Sequence, residues 1–195
     1  MKLKIFLVTA VCTVAALAIV AGICLYHYIG IPKSVGEKEY KYRTEKISVE
    51  YNGISLYGKA LVPVGESGQK FKTVIYAHGA NSNYKSDMTT LKSLAESGIA
   101  CYTFDFYGWT SRSTGPKGTE WFKGTDMRDN DAYVNKVLLQ SEDLNAVIEK
   151  VKTFDFVDTD NIFLLGSSMG GVTVATCATT HSEDIRGIIL QYLAI

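Results

Sequence analysis

The fold is decided by the stretch Ile162-Phe-Leu-Leu-Gly-Ser-Ser-Met-Gly-Gly171 of this 195-residue chain. Four apolar residues at its start predict a buried strand, and the small residues from Gly170 to Ala178 predict a helix that packs closely on a sheet. Between them comes the pattern Gly-x-Ser-x-Gly, which holds its serine on a sharp strand-to-helix turn. Gly166 and Gly170 leave room for that turn, so the hydroxyl of Ser168 is a candidate nucleophile.

The sequence leaves two alternatives to a nucleophilic Ser168. A serine between a strand and a helix often serves only to cap the helix. Ser167 is the weaker candidate for the nucleophile, because Leu165 would then occupy the position of the first glycine. The apolar strand before the pattern and the small-residue helix after it favour Ser168.

Strand and helix patterns alternate outward from this stretch. Residues 46–51 and 54–62 carry strand patterns on either side of Asn52-Gly53, which is a strong signal for a hairpin turn. Further elements are predicted as strands at 73–77, 99–104 and 188–190, as helices at 87–96, capped by Ser86, and around 138–151, and as a turn at 155–160. This alternation predicts an α/β fold with a mostly parallel sheet of about six strands, covered by helices on both faces.

Two backbone amides are candidates to face Ser168. The N–H of Met169 lies at the positive end of the predicted helix, and a second N–H is expected from the loop after an earlier strand. The segment Tyr76-Ala-His-Gly-Ala80 supplies that loop, with Ala80 as the candidate donor and Gly79 in a supporting position. His78 is expected to brace the turn, and a plain strand-end histidine is the alternative.

The N-terminal segment is predicted to be a transmembrane helix. From Ile5 to Ile31 the chain has no Asp, Glu, Lys or Arg, and about 20 apolar residues suffice to span the hydrocarbon core. Lys2 and Lys4 precede this long run, which favours an uncleaved anchor over a cleaved signal peptide. The lysines after the run would place the domain in the cytoplasm, but long domains translocate largely regardless of charge. We therefore expect the domain on the extracytoplasmic side.

Composition divides the chain and excludes several functions. Residues 1–31 are the anchor or signal segment, 32–46 a polar linker, and 47–195 one domain. Formal net charge is zero and no block of Lys and Arg occurs, so nucleic acid is not an expected partner. No metal site or cofactor is expected, because the sequence has neither CxxC nor HExxH and only three histidines. A nucleotide-binding fold is disfavoured because the chain lacks a phosphate-binding glycine loop after its first parallel strand.

Four motifs in order resemble the α/β-hydrolase family, of the serine-esterase, lipase and aminopeptidase-like kind. They are Val74-Ile-Tyr-Ala-His-Gly79, Phe104-Asp-Phe-Tyr-Gly108, Ser141-Glu-Asp-Leu144 and Gly166-Ser-Ser-Met-Gly-Gly171. The resemblance covers the segment from about Lys46 to Ile195 and implies the first six strands of that fold. It also implies that Ser168 attacks the acyl carbon of a carboxylic ester or small amide, forming an acyl-enzyme. The expected substrate is a small molecule, and the expected reaction needs no cofactor.

The resemblance also implies a catalytic acid and a histidine after the serine, and this sequence does not supply them. Only Glu183, Asp184 and His181 follow Ser168 as candidates. His181 lies 13 positions further on, about 20 Å along a continuous helix at 1.5 Å per residue. The chain is therefore expected to be truncated after its sixth strand and nearly inactive alone. The alternative is a complete, non-catalytic membrane-anchored binding or scaffold protein of the same fold.

Overall fold

A six-stranded sheet organises the part of the chain that the computed structural model describes, residues 39–122 and 128–191. The strands are β1 (Tyr42–Lys46), β2 (Val49–Tyr51), β3 (Ile54–Leu56), β4 (Gly58–Pro63), β5 (Phe71–Ala77), β6 (Ala100–Phe104), β7 (Val157–Ser167) and β8 (Gly187–Gln191). The helices are α1 (Met88–Glu96), α2 (Asn130–Val151) and α3 (Met169–Ala178). The sheet order is β1-β4-β6-β5-β7-β8, and β2 and β3 form a separate hairpin.

Most of the sheet is parallel, as the alternating pattern predicts. Strands β6, β5, β7 and β8 run parallel to one another, whereas β4 is antiparallel to both β1 and β6. Successive side chains of the central strand β5 point to opposite faces, so Ile75 and Val74 enter different core clusters. Val74 packs with Leu91 of α1, and Ile75 shares its cluster with Leu144 of α2 and Val174 of α3. The expected α/β sheet with helices on both faces is confirmed.

The predicted hairpin forms, but its second arm is shorter than expected. Asn52 and Gly53 have φ values of 48° and 75°, the left-handed pair that a tight two-residue hairpin requires. The arm breaks after Leu56, and Gly58–Pro63 forms the separate strand β4. At Gly58 a side chain would collide with the hydroxyl of Tyr102, which passes over this residue to donate to the carbonyl of Ile47 at 2.7 Å.

The segment expected to be a linker contributes a strand to the sheet. Tyr42–Lys46 forms β1, which pairs with β4 over five residues. Its polar composition hides this role, because an edge strand contributes few buried side chains and is often charged. Arg43 and Glu45 illustrate this, since they form an exposed ion pair at 2.5 Å on the edge.

Other element boundaries shift for local reasons. Strand β7 begins at Val157, inside the expected turn at 155–160, and its pairing with β5 has an irregularity near that end. The N-cap residue of α1 is Asp87 and not Ser86 as expected. The Ser86 hydroxyl donates to the carbonyl of Asn83 in the preceding loop. Helix α2 begins at Asn130, where the carboxylate of Asp129 accepts two backbone N–H groups. Its Leu138, expected on the apolar face, is 51% exposed.

The predicted anchor Ile5–Ile31 lies outside the described residues, as do positions 32–38 of the expected linker. Within the described ranges, none of α1, α2 and α3 combines the length and the apolar character that crossing a bilayer would require.

One buried carboxyl joins the hairpin to the rest of the domain. Asp143 on α2 is 3% exposed, accepts the Tyr51 hydroxyl, and accepts the backbone N–H of Tyr107 at 2.8 Å. The pKa of this carboxyl is raised from 3.8 to about 7, because the effect of burial is larger than the opposite effect of these two hydrogen bonds. The sequence contains this aspartate in one of its four motifs but does not reveal its partners.

This raised pKa predicts a pH-dependent stability. Between about pH 4 and pH 7 the folded chain binds more protons at Asp143 than the unfolded chain, so stability at this site falls as pH rises. Asp143→Asn removes the titration and keeps one acceptor for Tyr107 and one donor for the Tyr51 oxygen. Urea denaturation at a series of pH values measures the free energy of unfolding of the wild type and of this variant. We expect the wild type to lose stability relative to the variant as the pH rises from 4 to 7. A difference that stays constant over this range would contradict the assignment.

Candidate active site

Ser168 occupies a strained turn between β7 and α3. Its φ of 53° and ψ of −124° lie in a region that serine rarely adopts. Both flanking glycines stand where a side chain cannot fit: a Cβ at Gly166 would lie 2.5 Å from the Gly170 carbonyl oxygen, and one at Gly170 would lie 2.3 Å from that of Ala77. The close contact between β5, β7 and α3 therefore holds the serine in this conformation.

The Ser168 hydroxyl opens into a surface depression of about 450 Å³. Within the described ranges it makes no hydrogen bond, so its oxygen is available to a ligand. Ser167 lines the same depression, but its hydroxyl donates to the side-chain oxygen of Gln191 at 3.0 Å. Of the two neighbouring serines, Ser168 is thus the one whose hydroxyl has no partner among the described residues.

The two residues predicted to supply the amides, Met169 and Ala80, lie close to Ser168. Met169 is the first residue of α3, and Ala80 lines the depression beside Ser168. Neither N–H donates to another group of the described chain. The intervening Gly79 is close as well, since a Cβ there would lie 3.2 Å from the Ser168 Cβ and 3.8 Å from its Oγ. Unpaired amides at a helix N-terminus provide positive potential, so this corner can accommodate a negatively charged oxygen.

His78 is fully buried beneath the loop that carries Ala80. Its Nδ1 donates to the carbonyl of Gly79 at 2.7 Å, and its Nε2 accepts the N–H of Phe106 at 3.3 Å. Burial lowers the pKa of this imidazole to about 4, so it is neutral near pH 7. With both ring nitrogens engaged, His78 joins the segments after β5 and β6 and is not placed to take a proton from Ser168.

No second histidine is brought to Ser168 within the described ranges. Helix α3 has ten residues, about 15 Å in length, and His181 follows its far end. Asp184 pairs with Lys152 at 2.7 Å, and Glu183 lines a separate depression with Asp160 at the start of β7. The acidic residues and the histidine that follow Ser168 in sequence therefore lie away from it in the fold.

The depression is also lined by side chains that the sequence does not predict to be part of the site, among them Asp87 and Tyr76. One carboxylate oxygen of Asp87 accepts the Thr90 hydroxyl at 2.7 Å, and the other is buried without a partner in the described part. The sequence predicts Asp87 only as the start of a helix, because no local pattern indicates that this helix start lies beside Ser168.

A buried carboxylate, paired with a partly exposed arginine, fixes the loops around the site. Asp105, directly after β6, is fully buried and accepts the N–H of Tyr84 at 2.8 Å, the Thr110 hydroxyl at 3.0 Å and Nε of Arg112 at 2.5 Å. Tyr84 belongs to the same loop as Ala80, so this carboxylate ties the loop after β5 to the loop after β6. The sequence contains Asp105 in one of its four motifs but does not reveal its partner Arg112.

Comparisons with known structures agree with this fold. Dienelactone hydrolase from Anabaena variabilis is 17% identical, with a TM-score of 0.59 over 77% of this chain and 63% of that one. Est1E from Butyrivibrio proteoclasticus is 20% identical, with a TM-score of 0.53 over 73% and 48% of the two chains. Epoxide hydrolase VrEH1 from Vigna radiata is 16% identical, with a TM-score of 0.54 over 75% and 38%. The present chain thus spans less than two thirds of each of these proteins.

Sequence comparison gives the family. No protein of curated function matches the chain significantly in sequence. The model of the family described as serine aminopeptidase, S33, matches residues 68–191, which include β5, the Ser168 turn and β8. Since the match covers more than half of the sequence and the sheet is that of the α/β hydrolases, the chain belongs to the S33 serine aminopeptidase family of α/β hydrolases.

Proposed function

We propose that this protein is a serine hydrolase that cleaves carboxylic esters or small amides through an acyl-enzyme. Ser168 is the nucleophile, and the N–H groups of Met169 and Ala80 bind the oxyanion. The observation that carries the proposal is the strained Ser168 turn: among the described residues, the hydroxyl of Ser168 and the N–H groups of the neighbouring Met169 and of Ala80, which lines the same depression, have no hydrogen-bond partner. A serine that only capped α3 would be expected to accept a helix N–H, and Ser168 makes no such side-chain bond.

The proposed chemistry follows from this placement. Ser168 Oγ forms a bond to the acyl carbon and gives its proton to a base, and the carbonyl oxygen becomes negatively charged. The two amides donate to that oxygen, and collapse of the adduct expels the alcohol or amine, which takes a proton. Water then attacks the ester of Ser168, releases the acid and restores the hydroxyl.

The 195-residue chain is proposed to perform this reaction slowly by itself. Of the two histidines in the described ranges, His78 is enclosed and His181 lies beyond the far end of α3. Hydrolases that lose members of the catalytic triad retain only about 10³–10⁴-fold acceleration over water. We expect steady-state hydrolysis of p-nitrophenyl acetate by the purified chain to stay within that range, and turnover at ordinary enzyme rates would refute the impairment.

The test of the nucleophile is covalent labelling with a fluorophosphonate. The phosphonyl group should attach to Ser168 on prolonged incubation, because the turn and the amides favour attack even without a dedicated base. Ser168→Ala should abolish the adduct in a peptide mass map. Ser167→Ala is the matched control and should retain it, since that hydroxyl is engaged with Gln191. An unlabelled wild-type chain would instead support a non-catalytic binding or scaffold role.

The N-terminal run at residues 5–31 is proposed to anchor this hydrolase in a membrane, with its domain on the extracytoplasmic side. Support for this comes from the sequence pattern alone.

A further inference from the structure

A cluster of four cationic side chains lies around two tyrosine rings, outside the depression that contains Ser168. The rings of Tyr57 and Tyr84 have centroids 5.1 Å apart. Each cation of this basic cluster lies near a ring centroid: Lys46 at 5.1 Å from Tyr57, Lys59 at 5.4 Å and Lys85 at 5.7 Å from Tyr84, and Arg112 at 5.2 Å from Tyr84 and 5.8 Å from Tyr57. Segments far apart in sequence therefore bring positive charge to one place.

Among the described residues, the basic cluster has less negative charge than positive charge around it. Lys46 and Lys59 stand directly opposite each other in the β1–β4 pairing, an arrangement in which like charges repel. Within residues 39–122 and 128–191, neither of them nor Lys85 forms an ion pair with a carboxylate. The neighbouring Glu45 is bound to Arg43 on the other side of the strand.

Asp105 is the carboxylate that touches the cluster, and its oxygens are already in use. It is fully buried and accepts three donors, among them Nε of Arg112. The two terminal nitrogens of the Arg112 guanidinium make no hydrogen bond to other described groups, and the side chain is 38% exposed. The bond from Nε thus holds Arg112 in place, and the N–H groups of its two terminal nitrogens can donate to a ligand.

We propose that the basic cluster is a binding site for a phosphate group, carried by a phosphate monoester or phosphodiester. A tetrahedral oxyanion with up to two charges accepts hydrogen bonds from ammonium and guanidinium groups together. It would also relieve the repulsion between Lys46 and Lys59, which the tyrosine rings offset only in part. A single carboxylate would leave most of the positive charge uncompensated.

This site is distinct from the proposed oxyanion position. Gly58, the first residue of β4 and the neighbour of Lys59, pairs with Phe104, the last residue of β6. The cluster therefore lies near the carboxyl ends of the parallel strands, as Ser168 does. From β7 to β4 there are three strand spacings, about 14 Å in total at 4.8 Å each. A phosphate in the cluster therefore does not occupy the place of the reacting carbonyl, and its binding does not depend on Ser168.

The experiment is a calorimetric titration of inorganic phosphate into the full chain in neutral detergent at constant ionic strength. Lys59→Gln/Lys85→Gln should weaken phosphate binding by at least about tenfold, since two of the positive charges are lost. Lys70→Gln/Lys72→Gln is the matched control, because it removes the same charge at the opposite end of β5, and it should change the affinity less than about twofold. Absence of phosphate binding by the wild type, or equal loss in both double variants, would overturn the proposal.

Two additions make the outcome decisive. If the double variant does not melt like the wild type, the exposed Lys85→Gln alone should still weaken binding by about threefold, and an unchanged affinity would refute the site. Glycerol 3-phosphate and a short-chain phosphatidylglycerol are then tested as competitors of phosphate. Competition by the soluble ester alone assigns the site to free phosphate esters, and competition by the lipid assigns it to a membrane headgroup. Competition by neither would contradict a site for esterified phosphate.

Discussion

Replacing Gly170 with alanine is expected to destabilise the domain by at least about 3 kcal/mol. The added Cβ would lie 2.3 Å from the carbonyl oxygen of Ala77 and 2.5 Å from that of His78. Both neighbours are backbone atoms at the end of β5, so no side-chain rotation relieves the collision. Helix α3 and β5 must separate instead, and this movement also removes the contact that holds Ser168 in its strained turn.

The control for this substitution is Gly187→Ala on β8. A Cβ at Gly187 would meet the ring of Phe163 at 3.4 Å, an ordinary van der Waals contact. We expect its effect on the free energy of unfolding to stay within about 1 kcal/mol. Urea denaturation followed by circular dichroism measures both variants. Equal stabilities for Gly170→Ala and Gly187→Ala would show that the close approach of β5 and α3 is absent.

Replacing Asp105 with asparagine is expected to cost about 3 kcal/mol of stability and to loosen the loops near Ser168. The amide keeps an acceptor for the N–H of Tyr84. Its NH₂ group, however, would face the Nε–H of Arg112, which can only donate. The variant therefore loses the charge of the buried carboxylate and leaves the Arg112 donor opposed to another donor.

Glu45→Gln provides the comparison for an exposed ion pair. Glu45 and Arg43 have side chains that are 37% and 49% exposed, so water screens their attraction. We expect a loss below about 1 kcal/mol for this variant, measured by the same denaturation. If Asp105→Asn were as mild as Glu45→Gln, then Asp105 would not be the group that ties the two loops together.

Local sequence patterns predict the parts of this fold that depend on local interactions. The strand at 162–165, the turn at Ser168 and the small-residue helix follow from apolar runs and glycine placement. The hairpin turn at Asn52-Gly53 follows from the left-handed backbone that these residues adopt readily. The parallel arrangement of the central strands follows from their uniformly apolar composition.

Features that depend on contacts between distant segments were not predictable in the same way. Strand β1 is polar because it lies at the sheet edge, so its residues are indistinguishable from a linker. Arg112 shows no local pattern that points to Asp105, and Asp87 shows none that points to Ser168. The basic cluster likewise combines lysines from two strands and a loop, and becomes visible only when the sheet brings them together.

A crystal structure of the chain after phosphonylation of Ser168 tests the central claim most directly. The phosphonyl oxygen imitates the charged oxygen of the tetrahedral adduct. We predict that it accepts hydrogen bonds from the N–H groups of both Met169 and Ala80, at about 2.7–3.1 Å. An oxygen that points into solvent with both amides unpaired, or an adduct on another residue, would contradict the account.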